Sequence, residues 1–364
     1  MCRKILIAWL VIAAVVLSTI SGYAGDQVQG TFFLRNIVIN GEKIVNYNLQ
    51  YPFFLYNDTT YFPLTKDMQA ICGVEAGVQD GSLSLRKTEP LLANVQENWV
   101  KNNAESVTLA VDYEAGLRVT DAPDASAQPP WDNSIALGAG TESPVKDETL
   151  DLNESPVLLK DKVTYLPVRA LTESKLLGWD LYYDPYYGLC ISTSEGIPAE
   201  SYFPAAEANY NRGLVSYIKS KNSSLSTSRT QELVFLFRRA AEINSVDEKL
   251  LIAIAQKEST FRADARSSAG AAGLMQIMPK TAAGSGISSA QLYDAKTSID
   301  FGASYISNQI NSFDGNVNMA LSAYNQGPGS VSRGTYSRGY AEKVQGIVAD
   351  IGAHLETGGY LATE

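Results

Sequence analysis

Glu258 is the residue whose setting in the sequence best fits acid–base chemistry. It stands four residues after Ile254, seven after Leu251 and eight after Leu250, so on a helix it shares a face with apolar side chains. A carboxyl group on a buried face loses hydration, which raises its pKa and keeps it protonated near neutral pH, as a general acid requires. The same periodicity is also typical of a carboxylate without a catalytic role, which lies at the end of a helix and either faces water or pairs with a lysine.

Two segments downstream place polar side chains in apolar surroundings. Residues 270–273 read Gly-Ala-Ala-Gly, which allows close backbone approach, and Gln276 follows among the large apolar side chains of 274–278. An amide in such surroundings usually makes specific hydrogen bonds. Tyr324 and Asn325 end another apolar stretch and precede a glycine-rich loop. Taken alone, this last pair is also typical of an ordinary helix cap.

Apolar residues at helical spacing predict the elements that position these side chains. Each predicted helix has one buried stripe and a polar residue at its start or end. The predicted helices are a helix that carries Glu258 and the residues 233–244, 299–313 and 316–324. The helix that carries Glu258 opens with a capping box at 245–248, and Thr297 or Ser298 caps the helix 299–313. We therefore expect the C-terminal part of the chain to be mainly helical.

Three ordered motifs within residues 225–350 strongly resemble the soluble lytic transglycosylase family. They are the segments 258–261, 270–282 and 323–329. The resemblance implies a lysozyme-like fold and cleavage of the glycan strands of peptidoglycan. It also implies that Glu258 is the single catalytic acid and base. By the same resemblance, the residues that hold the acid or bind the adjoining sugar are Ser259, Met275, Gln276, Tyr324 and Asn325.

Two departures from the family pattern concern fine specificity. Arg262 and Ala263 stand where many relatives have Asn-Pro, and Ser298 stands where an asparagine is common. We expect neither departure to touch the core of the motifs.

The number of catalytic carboxylates separates a lyase from a hydrolase. Ordinary glycosidases use two carboxylates that lie about 5–9.5 Å apart, whereas Asp264, Asp294 and Asp300 read as loop or cap residues. With Glu258 alone, the C6 hydroxyl of the sugar replaces water and the product is a 1,6-anhydromuramoyl end. The alternatives are a hydrolytic muramidase, in which an aspartate holds a water, and a wall-binding scaffold with weak activity. No metal and no organic cofactor is implied.

Composition excludes several classes of function. The 364-residue chain has one histidine, His354, and three cysteines, so it cannot build a metal site from several imidazoles or thiolates. A net charge of −10 argues against a nucleic-acid binder, which must neutralise phosphates. With 45% hydrophobic and 19% charged residues, the chain is typical of a globular protein of two or three domains.

Residues 1–24 read as an export signal. Arg3 and Lys4 precede the apolar run 5–20, and small residues lead to a cleavage site after Ala24. This run is shorter than the ~20 residues of a membrane-spanning helix. We therefore expect a secreted protein that is extracellular or associated with the cell wall.

An internal repeat organises the N-terminal half. Residues 52–64 match residues 156–168 at a constant offset of 104, which aligns Tyr61 with Tyr165. Each copy predicts a strand, a tight turn, a second strand that ends at proline, a short helix and a hairpin. The predicted helices are 64–72 and 168–177, and the second hairpin turns at 184–188.

The repeat also bears on the two cysteines that remain after signal cleavage, Cys72 and Cys190. Each stands where the other copy has a leucine, which favours buried free thiols. An oxidising compartment nevertheless permits a disulfide between them.

The repeat resembles the copper amine oxidase-like N-terminal domain, a non-catalytic module of exported bacterial proteins. The resemblance covers residues 33–88 and 105–195, and residues 120–150 between the copies read as a loop. Oxidase activity is excluded, because the copper site needs three histidines and the chain has one. This half is expected to bind the wall or a protein partner, or to act as a spacer.

These observations predict a multidomain protein. Its N-terminal α+β repeats are rich in short strands, and its C-terminal domain is mainly α and lysozyme-like. The expected partner is the peptidoglycan glycan strand, and the oligomeric state stays open. The predicted segments are a signal peptide at 1–24, tandem repeats at 25–195, a linker at 196–222 and a lytic transglycosylase domain at 223–364.

Overall fold

The chain forms two compact units. One comprises residues 1–183 and 189–203 and is rich in strands, and the other comprises residues 184–188 and 204–364 and is mainly helical. This division confirms the predicted fold class. The computed structural model describes residues 27–79, 82–91, 106–112, 117–120, 155–174 and 176–361. The predicted export signal and residues 121–150 of the predicted loop lie outside the described residues.

The described residues of the strand-rich unit form three sheets. Strands β1, β4, β5, β11, β10 and β8 close a barrel in that order, β12, β13, β2 and β3 form a four-stranded sheet, and β6, β7 and β9 form a three-stranded sheet. The strands are β1 (Gln27–Phe32), β2 (Asn36–Ile39), β3 (Glu42–Ile44), β4 (Phe54–Tyr56), β5 (Thr59–Pro63), β6 (Val74–Gln79), β7 (Ser82–Lys87), β8 (Ser106–Asp112), β9 (Leu117–Thr120), β10 (Val157–Lys160), β11 (Val163–Pro167), β12 (Asp180–Asp184) and β13 (Gly188–Ser192).

The two repeat copies meet in the barrel. The hairpin β4–β5 comes from the first copy and β10–β11 from the second, and β5 pairs antiparallel with β11. Phe62 lies opposite Leu166, its own equivalent in the repeat, while Tyr61 lies opposite Pro167. The two hairpins are therefore related by an approximate local two-fold axis. The predicted strand–turn–strand units are confirmed in both copies, as is the hairpin turn at 184–188.

The short helices that follow the hairpins differ between the copies. In the first copy, α1 (Lys66–Cys72) begins at Thr65, whose side chain accepts a hydrogen bond from the Met68 amide. In the second copy, only a 3₁₀ turn forms over Val168–Thr172, so the predicted helix 168–177 is wrong. The residue equivalent to Thr65 is Arg169, which has no oxygen to cap the first turn of an α-helix.

The repeat equivalents Tyr61 and Tyr165 share the interior of the barrel. They pack with Phe54, Leu109 and Leu158, so the barrel strands direct alternate side chains into one apolar cluster. The ring centroids of Phe54 and Tyr61 lie 5.5 Å apart in a stacked arrangement. The barrel is therefore filled by side chains from both copies.

Cys72 and Cys190 are both buried, and no disulfide joins them in the part of the chain that the structure describes, as predicted. Cys72 packs in the larger apolar cluster of this unit, and burial raises the pKa of its thiol. Cys72 and Cys190 thus serve as small apolar side chains, in keeping with the leucines at the equivalent positions of the repeat.

The helical unit begins earlier than predicted. Residues 205–221, which fall within the predicted linker 196–222, form an α-helix with seven buried residues. The apolar stripe of this helix is interrupted by asparagine, glycine and serine, so the segment reads as polar in sequence. The helices of the unit are α2 (Ala205–Lys221), α3 (Thr227–Asn244), α4 (Glu248–Ser259), α5 (Pro279–Ala283), α6 (Ala295–Ser312), α7 (Val317–Gln326), α8 (Pro328–Ser332) and α9 (Gly339–Thr357).

Helix α2 is joined to the helices that follow it. Leu214 and Ile218 are fully buried, which places an apolar face of α2 in the core of the helical unit. Arg238 of α3 donates to Glu207 of α2 at 2.8 Å. The hydroxyl of Tyr210 donates to the carboxylate of Glu248 at the start of α4. These contacts make α2 part of the helical unit.

Two predicted helix caps are wrong. Ser245 adopts a left-handed conformation with φ 53° and ends α3, so it cannot open the next helix. Asp247 caps α4 instead, through a bond of 2.7 Å from the Lys249 amide. Helix α6 is capped by Asp294, which accepts from the Thr297 amide at 2.7 Å, and not by Thr297 or Ser298. In both cases the aspartate directly before the first helical residue takes the capping position.

Within the described ranges, none of the helices combines the length and the apolar character that crossing a membrane demands.

Candidate active site

Glu258 lies in the last turn of α4, at the end of a buried helix. Residues Leu251–Ala255 of this helix are fully buried, so the carboxyl group extends from the apolar face of α4. Burial raises the pKa of Glu258, and this effect is opposed by the hydroxyl of Tyr340 and the charge of Lys257. The periodicity argument from sequence therefore placed this carboxyl group correctly.

Tyr340, at the start of α9, holds the carboxyl group of Glu258. Its hydroxyl donates a hydrogen bond of 2.6 Å to Oε1 of Glu258. Tyr340 is buried, and burial together with the charge of Glu258 raises the pKa of its phenol well above the usual value. The phenol is therefore a stable hydrogen-bond donor. Tyr340 was not predicted as a site residue, although it begins an apolar stripe with Val344 and Ile351 that indicates burial.

Tyr324, on α7, approaches Glu258 from a second helix. Burial and then the charge of Glu258 raise the pKa of Tyr324 well above the usual value. Its hydroxyl donates to the backbone carbonyl of Met275 at 2.9 Å, and its ring lies 5.5 Å from that of Tyr305 in an edge-to-face arrangement. Tyr324 thus connects α7 with the loop that follows α4. The structure brings Tyr324, Tyr340 and Glu258 together from three helices.

The side chains of Ser259 and Met275 lie inside the fold, whereas the sequence predicted that they contact the catalytic acid or the sugar. The hydroxyl of Ser259 is buried and donates to the backbone carbonyl of Leu274 at 2.7 Å, which fixes the end of α4 to the loop. The side chain of Met275 is completely buried and packs where Gly302 of α6 leaves no room for a Cβ atom. Both side chains therefore support the site from within the core.

Gln276 stabilises the shape of the loop. It has a left-handed backbone with φ 49°, which is uncommon for a residue other than glycine. Its amide Nε2 donates to the carbonyl oxygens of Ala265 at 3.0 Å and Gly273 at 2.9 Å. Gly273 is required here, because a Cβ at this position would lie 1.8 Å from the backbone oxygen of Leu292. The side-chain oxygen of Gln276 is the atom left to accept from a sugar.

The solvent side of the site is formed by other residues. Asn325 is exposed directly after Tyr324, so its amide is accessible to a ligand. Met278 is 43% exposed, two residues after Gln276, and was not predicted as a site residue. An exposed methionine beside a polar site is a flexible apolar surface on which a sugar ring can rest. The accessible methionine of this loop is therefore Met278, and Met275 is the buried one.

The three aspartates weighed as a second carboxylate have other roles or positions. Asp264 is exposed in the loop, and Asp294 caps α6. Asp300 accepts from Arg239 at 2.8 and 3.0 Å and from Lys296 at 3.2 Å. Among the described residues, the side chains that shift the pKa of Glu258 are Tyr340 and Lys257, and no carboxylate is among them.

One departure from the family pattern does touch the motif core. Ser298 is fully buried on α6, and its hydroxyl oxygen accepts a hydrogen bond of 3.1 Å from the backbone amide of Met275. The expectation that this position lies apart from the motifs is therefore wrong. Sequence spacing could not show the contact, because 23 residues separate Met275 from Ser298.

No group of three or more histidine, cysteine, aspartate or glutamate side chains suited to a metal ion occurs in the part of the chain that the structure describes.

Comparisons with known proteins agree with the motifs of the helical unit. Residues 235–345 match the family described as Transglycosylase SLT domain. The chain is 38% identical over 121 residues to membrane-bound lytic murein transglycosylase C of Haemophilus influenzae, which covers 29% of this chain and 34% of that protein. It is 38% identical over 104 residues to the soluble lytic murein transglycosylase of Escherichia coli, covering 26% of this chain and 16% of that protein. The chain thus spans about a third of the length of the first relative and a smaller share of the length of the second.

A solved structure of the 70 kDa soluble lytic transglycosylase of Escherichia coli matches over 44% of this chain and 34% of that chain, with 24% identity and a TM-score of 0.32.

Proposed function

We propose that this chain is a peptidoglycan lytic transglycosylase that cleaves the β-1,4 bond between N-acetylmuramic acid and N-acetylglucosamine. The observation that carries the proposal is the setting of Glu258, a partly buried carboxyl group that accepts a hydrogen bond of 2.6 Å from a phenol and whose pKa is raised by desolvation. The match of residues 235–345 to the SLT domain and the names of the relatives support the same reaction.

In the first step, Glu258 acts as a general acid. Its burial keeps a larger fraction of the carboxyl group protonated near neutral pH. The proton passes to the glycosidic oxygen, the bond from that oxygen to C1 of the muramoyl sugar breaks, and the alcohol leaves. Positive charge then develops at C1, and the carbonyl oxygen of the neighbouring N-acetyl group of the substrate stabilises it.

In the second step, Glu258 acts as a base. The carboxylate accepts the proton of the C6 hydroxyl of the same sugar, and O6 bonds to C1. The product is a 1,6-anhydromuramoyl end, and Glu258 returns to its protonated form. The hydrogen bond from Tyr340 stabilises the carboxylate between the two steps, because the charged acceptor binds a donor more strongly than the neutral one. A single carboxyl group therefore completes the cycle without water.

Substitution of Glu258 tests this proposal. Glu258→Gln retains the shape of the side chain and an oxygen that accepts from Tyr340, but it cannot deliver a proton, so cleavage is expected to fall at least ~10²-fold. Asp264→Asn, at an exposed loop position, is the matched control and should retain activity. Mass spectrometry of the products from purified wall should find ends lighter by one water than reducing ends. Reducing ends would instead indicate a hydrolytic muramidase.

We further propose that the chain is exported and that the strand-rich unit locates the enzyme on the wall. The signal-like segment 1–24 and the resemblance of the repeats to the copper amine oxidase-like N-terminal domain support this assignment. The catalytic unit then begins at Pro204, where the helical unit begins. One bound copper per chain, or oxidation of amines, would contradict a non-catalytic role for the repeats.

A further inference from the structure

The strand-rich unit has a cavity of about 370 Å³ at the junction of the two repeat copies. The first copy contributes Gln50, Tyr51, Lys66 and Asp67 to its lining, and the turn and first residue of β11 contribute Lys162 and Val163. Pockets of this volume with mixed apolar and polar walls are the usual size for a small ligand. Neither the family match nor the proposed mechanism uses this cavity.

The charge of the cavity is opposite to that of the surrounding sequence. Residues 1–225 have 26 acidic and 17 basic side chains, whereas the cavity has the two lysines and one aspartate. The repeat explains the position of Lys162, because the equivalent residue of the first copy is Asp58. Both residues occupy the same left-handed turn position, with φ 69° and φ 57°. The second copy thus replaces an acidic turn residue with a basic one where the cavity opens.

An unsatisfied hydroxyl lies in the apolar cluster against which two residues of the cavity wall pack. Tyr61 donates to the backbone oxygen of Pro156 at 3.1 Å, whereas the hydroxyl of its repeat equivalent, Tyr165, is buried and has no hydrogen-bond partner among the described residues. Burial, then the phenol of Tyr51 and the carboxylate of Asp161, raises the pKa of Tyr165. Tyr51 and Val163 line the cavity and also pack against the apolar cluster that contains Tyr165. Buried polar groups without partners are rare in native proteins.

We propose that this cavity binds an N-acylated amino sugar that carries a carboxylate. Lys66 and Lys162 would pair with the carboxylate, the ring of Tyr51 would pack on the sugar, and Gln50 and Asp67 would bind its hydroxyl and acetamido groups. This inference rests on the proposed function in one respect: such a sugar is the muramoyl unit, freed of its stem peptide, of the polymer that the helical unit is proposed to cleave. The cavity would then hold the enzyme on its substrate.

Calorimetric titration of the full-length protein with two monosaccharides tests the proposal. N-acetylmuramic acid has the carboxylate and N-acetylglucosamine lacks it, so the first should bind at least tenfold more tightly. The double variant Lys66→Glu/Lys162→Glu should lose this difference and bind N-acetylmuramic acid at least tenfold more weakly. Both lysines are exposed, so the variant is expected to fold, which its thermal midpoint will show. The double variant Lys43→Glu/Lys87→Glu, at two exposed residues outside the cavity lining, is the charge-matched control.

Three results would overturn the proposal: absence of binding to the wild-type protein, equal affinity for the two sugars, or unchanged affinity in the double variant. A second variant, Tyr51→Ala, should weaken binding of both sugars, whereas Tyr51→Phe should retain it. Cleavage of short soluble glycans should be the same in wild type and double variant, because the lysines are not part of the proposed catalytic site. If cleavage instead fails in every form while binding follows the lysines, the proposed function fails and the cavity assignment stands.

Discussion

Replacement of Tyr340 by phenylalanine removes a single oxygen from the environment of Glu258. The phenol donates to the carboxylate at 2.6 Å and so lowers the pKa of Glu258 from the value that burial alone would give. Without this donor, the pKa of Glu258 rises. Since the first step needs the protonated acid, the rate declines as pH rises through this pKa. The decline should therefore occur at higher pH in Tyr340→Phe than in the wild type.

The size of this effect follows from the two states of the hydrogen bond. A hydrogen bond to a charged group contributes about 1.5–3 kcal/mol and one to a neutral group about 0.5–1.5 kcal/mol, so the phenol favours the carboxylate by ~1–2 kcal/mol. At ~1.4 kcal/mol for each tenfold change in an equilibrium constant, the midpoint of the decline should move upward by about one pH unit. The rate at the optimum should also fall about tenfold, because the carboxyl group loses a fixed position.

The assay is the initial rate of glycan cleavage at saturating substrate across a range of pH. Tyr336→Phe is the matched control, since this half-buried tyrosine stands on the same segment and its loss should leave the profile unchanged. A purely structural role for Tyr340 would lower the rate equally at every pH. A midpoint that stays in place, or moves to lower pH, would refute the assignment of Tyr340 as the group that sets the acidity of Glu258.

Three further predictions concern stability. Folding raises the pKa of Glu258, so the folded state holds a proton that the unfolded state releases above the ordinary pKa of 4.5. The wild type should therefore lose stability as pH rises from there to the raised pKa, and the thermal midpoint of Glu258→Gln relative to that of the wild type should increase with pH. Asp300→Asn removes one ion pair from the buried guanidinium of Arg239 and should cost about 1–3 kcal/mol in urea unfolding, a figure reduced because Asp300 is partly exposed. Asp294→Asn should be nearly neutral, because asparagine caps a helix equally well. A fragment of the chain that begins at Pro204 should unfold cooperatively on heating, as followed by circular dichroism. A fragment that begins at Asn222 should unfold at a lower temperature or without cooperativity, because it lacks the buried face of α2.

The parts of the fold that could be predicted from sequence are those in which one periodic pattern determines one element. The offset of 104 predicted both hairpins of the barrel, and the spacing of Leu250, Leu251 and Ile254 predicted that Glu258 lies on the apolar face of its helix and loses hydration. Helix α2 was missed because its apolar stripe includes buried asparagine and glycine, which read as linker residues. Tertiary contacts with α3 and α4 stabilise this helix, and no local pattern contains them.

The candidate site was predicted only in part, because residue type does not show which atom of a residue is used. Gln276 and Tyr324 were selected for their side chains, and both donate to backbone oxygens of the loop. Met275 was selected for its place in a motif, yet the position accessible to solvent is Met278. Tyr340 lies 82 residues from Glu258, so its hydrogen bond depends on how α9 packs on α4. Motif spacing alone cannot give that distance.

The loop between α4 and α5 is held from several sides, which explains why so many motif residues have internal roles. Ser259 holds the loop at Leu274, Tyr324 holds it at the Met275 carbonyl, and Ser298 holds it at the Met275 amide. A general acid works only when its distance to the glycosidic oxygen is fixed, and a loop that moves would move the sugar with it. Ser298 has a short side chain whose oxygen reaches this amide. This bond of 3.1 Å is therefore one of the contacts that determine where this part of the loop lies.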